Sequence, residues 1–388
     1  MPYIEDRIVH DADAHIMETR DWLTPFADPH VRDAVRAAFN RPFESREAQF
    51  ENVLAKQNDP AFRARDDVEF MARKNNLAIG SFRREDRPKA LDLIGVASQL
   101  VFPTTSNVLL ESLEHGDDHE LLYGMARASN RAQVEFCRVD PRLLPVCNVP
   151  LADIGRAVQT AGDAIAIGAR ALLIPWACPR HHATSHIGLD GVWARAQEAG
   201  LPIIFHVGAA DFVLPPGHKN NGLPAVPDFH GGDENFRSIS YMAIPSGPQQ
   251  ALSMLILDGV LDRFPRLKVG IIELGAVWVP GYLRQLDAAL EAFGRHEERL
   301  QQLELKPSEY VARQVRVTPY PTEPTGWIIE NSAPQICMFS TDYPHVEGGR
   351  NPYGRFQKST EGLPAAKLDA FYRGNFEDMM GQGMTAGG

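Results

Sequence analysis

The feature that most constrains this chain is a recurrence of eight apolar, β-rich runs alternating with segments of helical period. The runs are 7–13 (RIVHDAD), 97–103, 142–151, 169–176, 201–208, 267–274, 314–320 and 335–342 (QICMFSTD). Several are nearly continuous Val, Ile and Leu, as parallel strands covered on both faces require. Helical period follows at 120–138, 191–200 and 248–265, the last closed by Pro265. Eight strands alternating with helices in 388 residues, with no repeat or linker to divide them, predict a single α/β domain over 1–388, a (β/α)8 TIM barrel. The competing open sheet is disfavoured because no GxGxxG or GxxxxGK[ST] follows any strand.

Two segments exceed ordinary loop lengths. A helical insertion spans about 20–95 after the first strand and carries Arg83, Arg84 and Arg87; a Gly, Pro and Asn-rich loop spans about 208–245 after the fifth. Both follow strand ends and so are expected over the active-site face, where Phe212, Val213, Leu214 and Phe229 would form an apolar wall. The arginines are candidates to meet a carboxylate or phosphate.

Thirty-nine Lys plus Arg against 50 Asp plus Glu leave a net charge of -11, which disfavours a nucleic-acid partner. No run approaches the ~18 apolar residues of a membrane span, and the start lacks a signal-peptide pattern, so a cytoplasmic protein is expected. The four cysteines, Cys137, Cys147, Cys178 and Cys337, have no metal-site or disulfide spacing and read as small buried apolar residues.

Chemistry is concentrated where strands end in ionisable groups. Asp11, Asp13 and His15 lie at period two, with Glu18 just beyond; His206 ends IIFH, Glu273 ends VGIIE, and Asp342 ends MFSTD ahead of Tyr343, Pro344 and His345. A carboxylate at the end of an apolar strand is costly unless paired or bound to a cation. Each residue alone has an ordinary structural explanation, such as a hydrogen-bonded imidazole, a turn cap or an ion pair, and Asp11 is most simply a strand-end brace. Their conjunction on four strands predicts a metal site of mixed N and O ligands, Asp13, His15, His206, Glu273 and Asp342, with Asp342, His345 and Glu18 as catalytic groups. Hard oxygen donors with imidazole favour manganese or iron over zinc. His181, His182 and His186, after the fourth strand, are candidates for substrate contact.

The pattern from DADAH through FHVG and STDYPH to RGNFEDMMG resembles the amidohydrolase superfamily, and more closely the amidohydrolase-related branch that includes aminocarboxymuconate semialdehyde and resorcylate decarboxylases. Asp13 stands where the family's first-strand motif has its first histidine, and His206 and Asp342 match its fifth- and eighth-strand ligands. Glu273 departs from a common sixth-strand histidine, and no lysine stands at the fourth strand. The resemblance implies a homodimer and a metal-dependent hydrolase or decarboxylase acting on a small or medium organic molecule, through a metal-bound water or a metal-oriented carboxylate. The carboxylate-rich ligand set also resembles a rarer offshoot, non-haem diiron monooxygenases acting on natural-product intermediates, for which one site would hold two irons.

Overall fold

A computed structural model describes residues 2–208, 214–224, 226–227, 237–333 and 335–384. Seven parallel strands follow one another in chain order: β1 (His10–Ile16), β2 (Ser98–Pro103), β3 (Leu143–Asn148), β4 (Ala171–Leu173), β5 (Ile203–His206), β6 (Val269–Ile272) and β7 (Val315–Val317). Every strand is buried along its whole length, because helices cover the outside and side chains fill the inside. The curled sheet is consistent with a TIM-like barrel.

The eighth run does not form a ladder strand. The run and the residue after it touch both edges of the sheet through single bridges, Cys337 to Val317 of β7 and Tyr343 to Ala14 of β1. Two of its amide groups are diverted elsewhere, Phe339 N–H to the Phe371 carbonyl (3.0 Å) and Thr341 N–H to the Asp11 carboxylate (2.8 Å), which prevents a continuous ladder.

The first strand runs three residues further than its apolar pattern suggests, so His15 lies within it. Its register with β2 shifts between Asp11 and Ala14, so the expected strict period of two is broken there. Between β1 and β2 lie α1 (Arg32–Glu44), α2 (Glu47–Asn58) and a helix over Arg87–Ile94. After β2 come α3 (Thr105–Glu114) and α4 (His119–Cys137). Of the loop after β5, Phe212, Val213 and Phe229 lie outside the described residues, whereas Leu214 is buried. Cys137, Cys147 and Cys337 are buried as expected; Cys178 is exposed, because it sits in the loop after β4 rather than in a strand or helix.

The N-terminal end of the sheet is filled by α5 (Asn375–Met380). Phe376, Met379 and Met380 pack among Ala12, Leu100, Leu144, Val146, Ile204 and Ile272. Gly270 permits this approach: a Cβ there would lie 2.8 Å from the Met379 sulfur and 2.5 Å from Ile204. Phe376 also stacks on His10, with ring centroids 5.1 Å apart. With the floor closed in this way, the opposite end is left for chemistry. Truncating the plug by Phe376→Ala is expected to cost about 3–5 kcal/mol in denaturant unfolding; a loss under about 1 kcal/mol would mean the helix is dispensable packing.

Candidate metal centre

At the C-terminal strand ends the fold brings together Asp13 and His15 from β1, His206 from β5, Glu273 just after β6, and Asp342 and His345 from the closing segment. Two overlapping groups form, Asp13, His15, His206 and Glu273, and His15, Glu273, Asp342 and His345; in each, one ligand atom per residue lies within 4.8 Å of the others. His15 Nε2 stands 3.1 Å from Asp13 Oδ1, 3.6 Å from Asp342 Oδ1 and 3.9 Å from Glu273 Oε2. His206 Nε2 stands 3.4 Å from Asp13 Oδ1 and 3.5 Å from Glu273 Oε2. The register pairs His206 with Ile272, which sets Glu273 one residue beyond the histidine.

Three features suit this cluster to a cation. His15 Nε2 and both carboxylate oxygens of Asp342 are buried without a hydrogen-bond partner, and such atoms are costly unless something binds them. Burial, then the neighbouring His345 and His206, hold the His15 imidazole well below its usual pKa, so it stays neutral and able to donate a lone pair. His206 directs Nδ1 at the Val207 carbonyl (3.1 Å), an acceptor, so Nδ1 carries the proton and Nε2 is left as a ligand atom.

The backbone at two of these carboxylates is unusual. Glu273 (φ 55°) and Asp342 (φ 52°) both adopt the left-handed region, a cost that concentrates at functional positions. Glu273 is held there by its N–H donating to Thr318 Oγ1 (2.8 Å) and by the Tyr320 hydroxyl donating to its carbonyl (2.7 Å). Asp342 N–H donates to the Asp13 carbonyl (2.9 Å), joining two of the carboxylate-bearing segments directly.

Other expected site residues are placed differently. The Glu18 carboxylate accepts the N–H groups of Thr104, Thr105 and Ser106 (2.7–3.1 Å) and the Ser106 hydroxyl (2.6 Å) at the start of α3. That uses its lone pairs to anchor a helix N-terminus. The arginines do not face the centre. Arg83 bonds Asn58, Arg84 pairs with Glu135, and Arg87 is buried, donating to Gln99 and to the His15 and Gly80 carbonyls. His181, His182 and His186 lie in the loop after β4, outside both ligand groups.

Sequence reasoning missed Thr104, whose hydroxyl lies 3.3 Å from His15 Nδ1 and 3.1 Å from His345 Nε2 and so bridges the two imidazoles. The signal was present as a polar Thr-Thr-Ser directly after an apolar strand. It also missed Lys74, whose buried ammonium has no hydrogen-bond partner and which burial lowers to about 8 against the opposing charges of Asp342 and Glu347. No spacing in the sequence connects position 74 to the closing segment.

A parallel α/β sheet whose strand ends converge on buried carboxylates and imidazoles defines a class of barrel with a candidate metal centre. The sequence profile of the family described as amidohydrolase matches residues 11–379, and the chain belongs to that family. An amidohydrolase from Mycobacterium avium subsp. paratuberculosis has the same fold, with 20% identity, 97% of this chain and 100% of that one covered, and a TM-score of 0.72. So does 5-carboxyvanillate decarboxylase from Sphingomonas paucimobilis (18%, 96% and 98%, 0.62). The corresponding decarboxylase from Novosphingobium aromaticivorans, solved with manganese and a nitrobenzoic acid, aligns at 16% identity over 97% and 96% with a TM-score of 0.64. No curated protein matches the chain in sequence.

Glu114, the last residue of α3, lies near the centre beside a small space also bounded by His206. Burial pushes its carboxyl up to about 7, opposed by the N–H groups of Leu151 and Ala152. The folded chain therefore holds this proton where the unfolded chain releases it, and the group weakens the fold progressively as pH rises from about 4.5 to 7. Comparing thermal unfolding of Glu114→Gln with the parent, the variant should gain on the order of 1–3 kcal/mol relative to the parent between pH 4.5 and 7.5. A pH-independent difference would show that Glu114 is ionised in both states.

Proposed function

We propose that this protein is a metal-dependent decarboxylase of a small or medium organic acid, built on a single barrel domain with the helical segment after the first strand over its mouth. The observation that carries the reading is the pair of orphaned ligand groups, His15 Nε2 and the Asp342 carboxylate, within a buried set of carboxylates and imidazoles. Support for decarboxylation over hydrolysis comes from structures of the same fold that are decarboxylases, one of them solved with manganese.

Asp13, His15, His206, Glu273 and Asp342 would hold one divalent ion, manganese by the hardness of the oxygen donors, with iron or zinc as alternatives. When bound, the ion supplies positive charge that orients the substrate carboxylate and offsets negative charge as the carbon–carbon bond breaks. His345 is the proton donor. It lies 3.0 Å from Asp342 through Nδ1 and 3.1 Å from Thr104 through Nε2, and it lines a cavity beside the cluster. The bonding pair stays on the substrate carbon, which takes the proton from His345 as carbon dioxide departs. Glu18 positions α3, and with it Thr104, instead of moving a proton.

Hydrolysis of an ester, lactone or amide would use the same ligands in a different step, addition of water to the carbonyl carbon with departure of the alcohol or amine. A diiron oxygenase is the second reading, favoured by the second ligand group that shares His15 and Glu273 with the first. Metal analysis of the protein as isolated decides between one ion and two; two irons per chain with an oxygen-dependent product would replace the decarboxylase reading.

His206→Ala and Asp342→Ala are expected to lose bound metal, and Glu273→Gln to lower its stoichiometry as well as the rate. His345→Gln should keep the metal while carbon dioxide release from a panel of aryl and alkyl carboxylic acids falls about 10²- to 10⁴-fold. Unchanged metal content in the first two variants would sink the assignment.

A further inference from the structure

The candidate metal cluster is flanked by two cavities. One, of about 280 Å³, lies between the helical segment after β1 and the start of α3; it reaches His345 and has walls of Phe43, Phe50, Val53, Val108 and Leu109. The other, of about 240 Å³, lies on the side of β6 and β7; it reaches Glu273 and is lined by Val207, Tyr241, Tyr320 and Pro321. Between them a space of about 20 Å³ is bounded by Asp13, Glu273 and Asp342, and Glu347 lines all three.

Each cavity is far larger than the ~10–15 Å³ that holds one water and approaches the lower limit, ~300 Å³, of small-molecule pockets. Apolar side chains supply most of each wall's surface, with Arg46, Gln49, Asn75 and Asn76 also lining the first cavity and Arg355 the second, so each cavity takes an apolar group beside a few polar contacts. A single-ring acid with its carboxylate at the cluster fills one cavity and leaves the other hydrated against apolar surface.

We infer that the site takes an elongated, largely apolar carboxylic acid whose reacting carboxylate lies near its middle, with one apolar arm in each cavity. This rests on the reading of the cluster as a metal centre.

The test is calorimetric titration of manganese-loaded protein with diphenylacetate, whose carboxylate lies between two phenyl rings, and with phenylacetate, which has one. Diphenylacetate is expected to bind at least about tenfold more tightly. Val108→Trp in the first cavity and Thr322→Trp beside the second replace residues exposed at the rim, so the fold tolerates them. Each should reduce that ratio to below about threefold with manganese content unchanged. Equal affinities in the parent, or loss of the ratio in only one of the two variants, would overturn the two-armed substrate while leaving the metal centre standing. Failure of the parent to bind manganese would overturn the metal reading and this inference together.

Discussion

The Asp11 carboxylate is the tie on which the geometry of the centre depends. It is fully buried on β1 and accepts the Gln99 amide from β2 (2.9 Å), and the Thr341 N–H (2.8 Å) and hydroxyl (2.5 Å) from the closing segment. One side chain therefore links three neighbouring segments of the barrel wall, and burial pushes its pKa up to about 7 against those donors. Asp13 is two residues along from it and Asp342 is the residue after Thr341, so the distance between two carboxylates of the centre follows from this brace. Gln99 is held in turn by the buried guanidinium of Arg87, which also grips the His15 carbonyl (2.9 Å). Side chains that never face the cavity thus set the positions of those that do.

A cluster this rich in carboxylate is held together against its own repulsion. Two of its acids sit in left-handed backbone conformations, and the backbone of each is pinned by bonds from neighbouring segments. A cation at the cluster would offset the cost of burying these groups, and it would meet His15 Nε2 and the Asp342 oxygens, which have no hydrogen-bond partner. Glu18 solves its burial in another way, by accepting four donors at a helix N-terminus.

The strands were legible where runs of Val, Ile and Leu made burial on both faces the natural outcome, and the residues of the cluster were legible because polar residues ended those runs without a packing purpose. His206 and Glu273 illustrate this: three or four apolar residues, then one ionisable group. The eighth run was less transparent. Its composition is that of a strand, yet two of its amides are taken by Asp11 and by the Phe371 carbonyl, and no local pattern encodes a partner such as Asp11, more than three hundred residues away. Period-two reasoning placed Asp11, Asp13 and His15 on one side, but the register shift after Asp11 turns it to the brace and leaves the other two at the centre. The arginines of the helical segment looked available for an anion because side-chain charge is visible in sequence, whereas their partners, Asn58, Glu135 and the His15 carbonyl, are not.

By itself the sequence determined the alternating strand and helix pattern, the family, and which ionisable residues stand at strand ends, because these follow from local periodicity and residue chemistry. The tertiary structure decided which of them converge, through the register that sets Glu273 beside His206 and the segment that carries Asp342 back to β1. It also decided which acids are spent as anchors and where the two cavities lie. Those outcomes depend on contacts between segments from tens to hundreds of residues apart, which neither periodicity nor composition encodes.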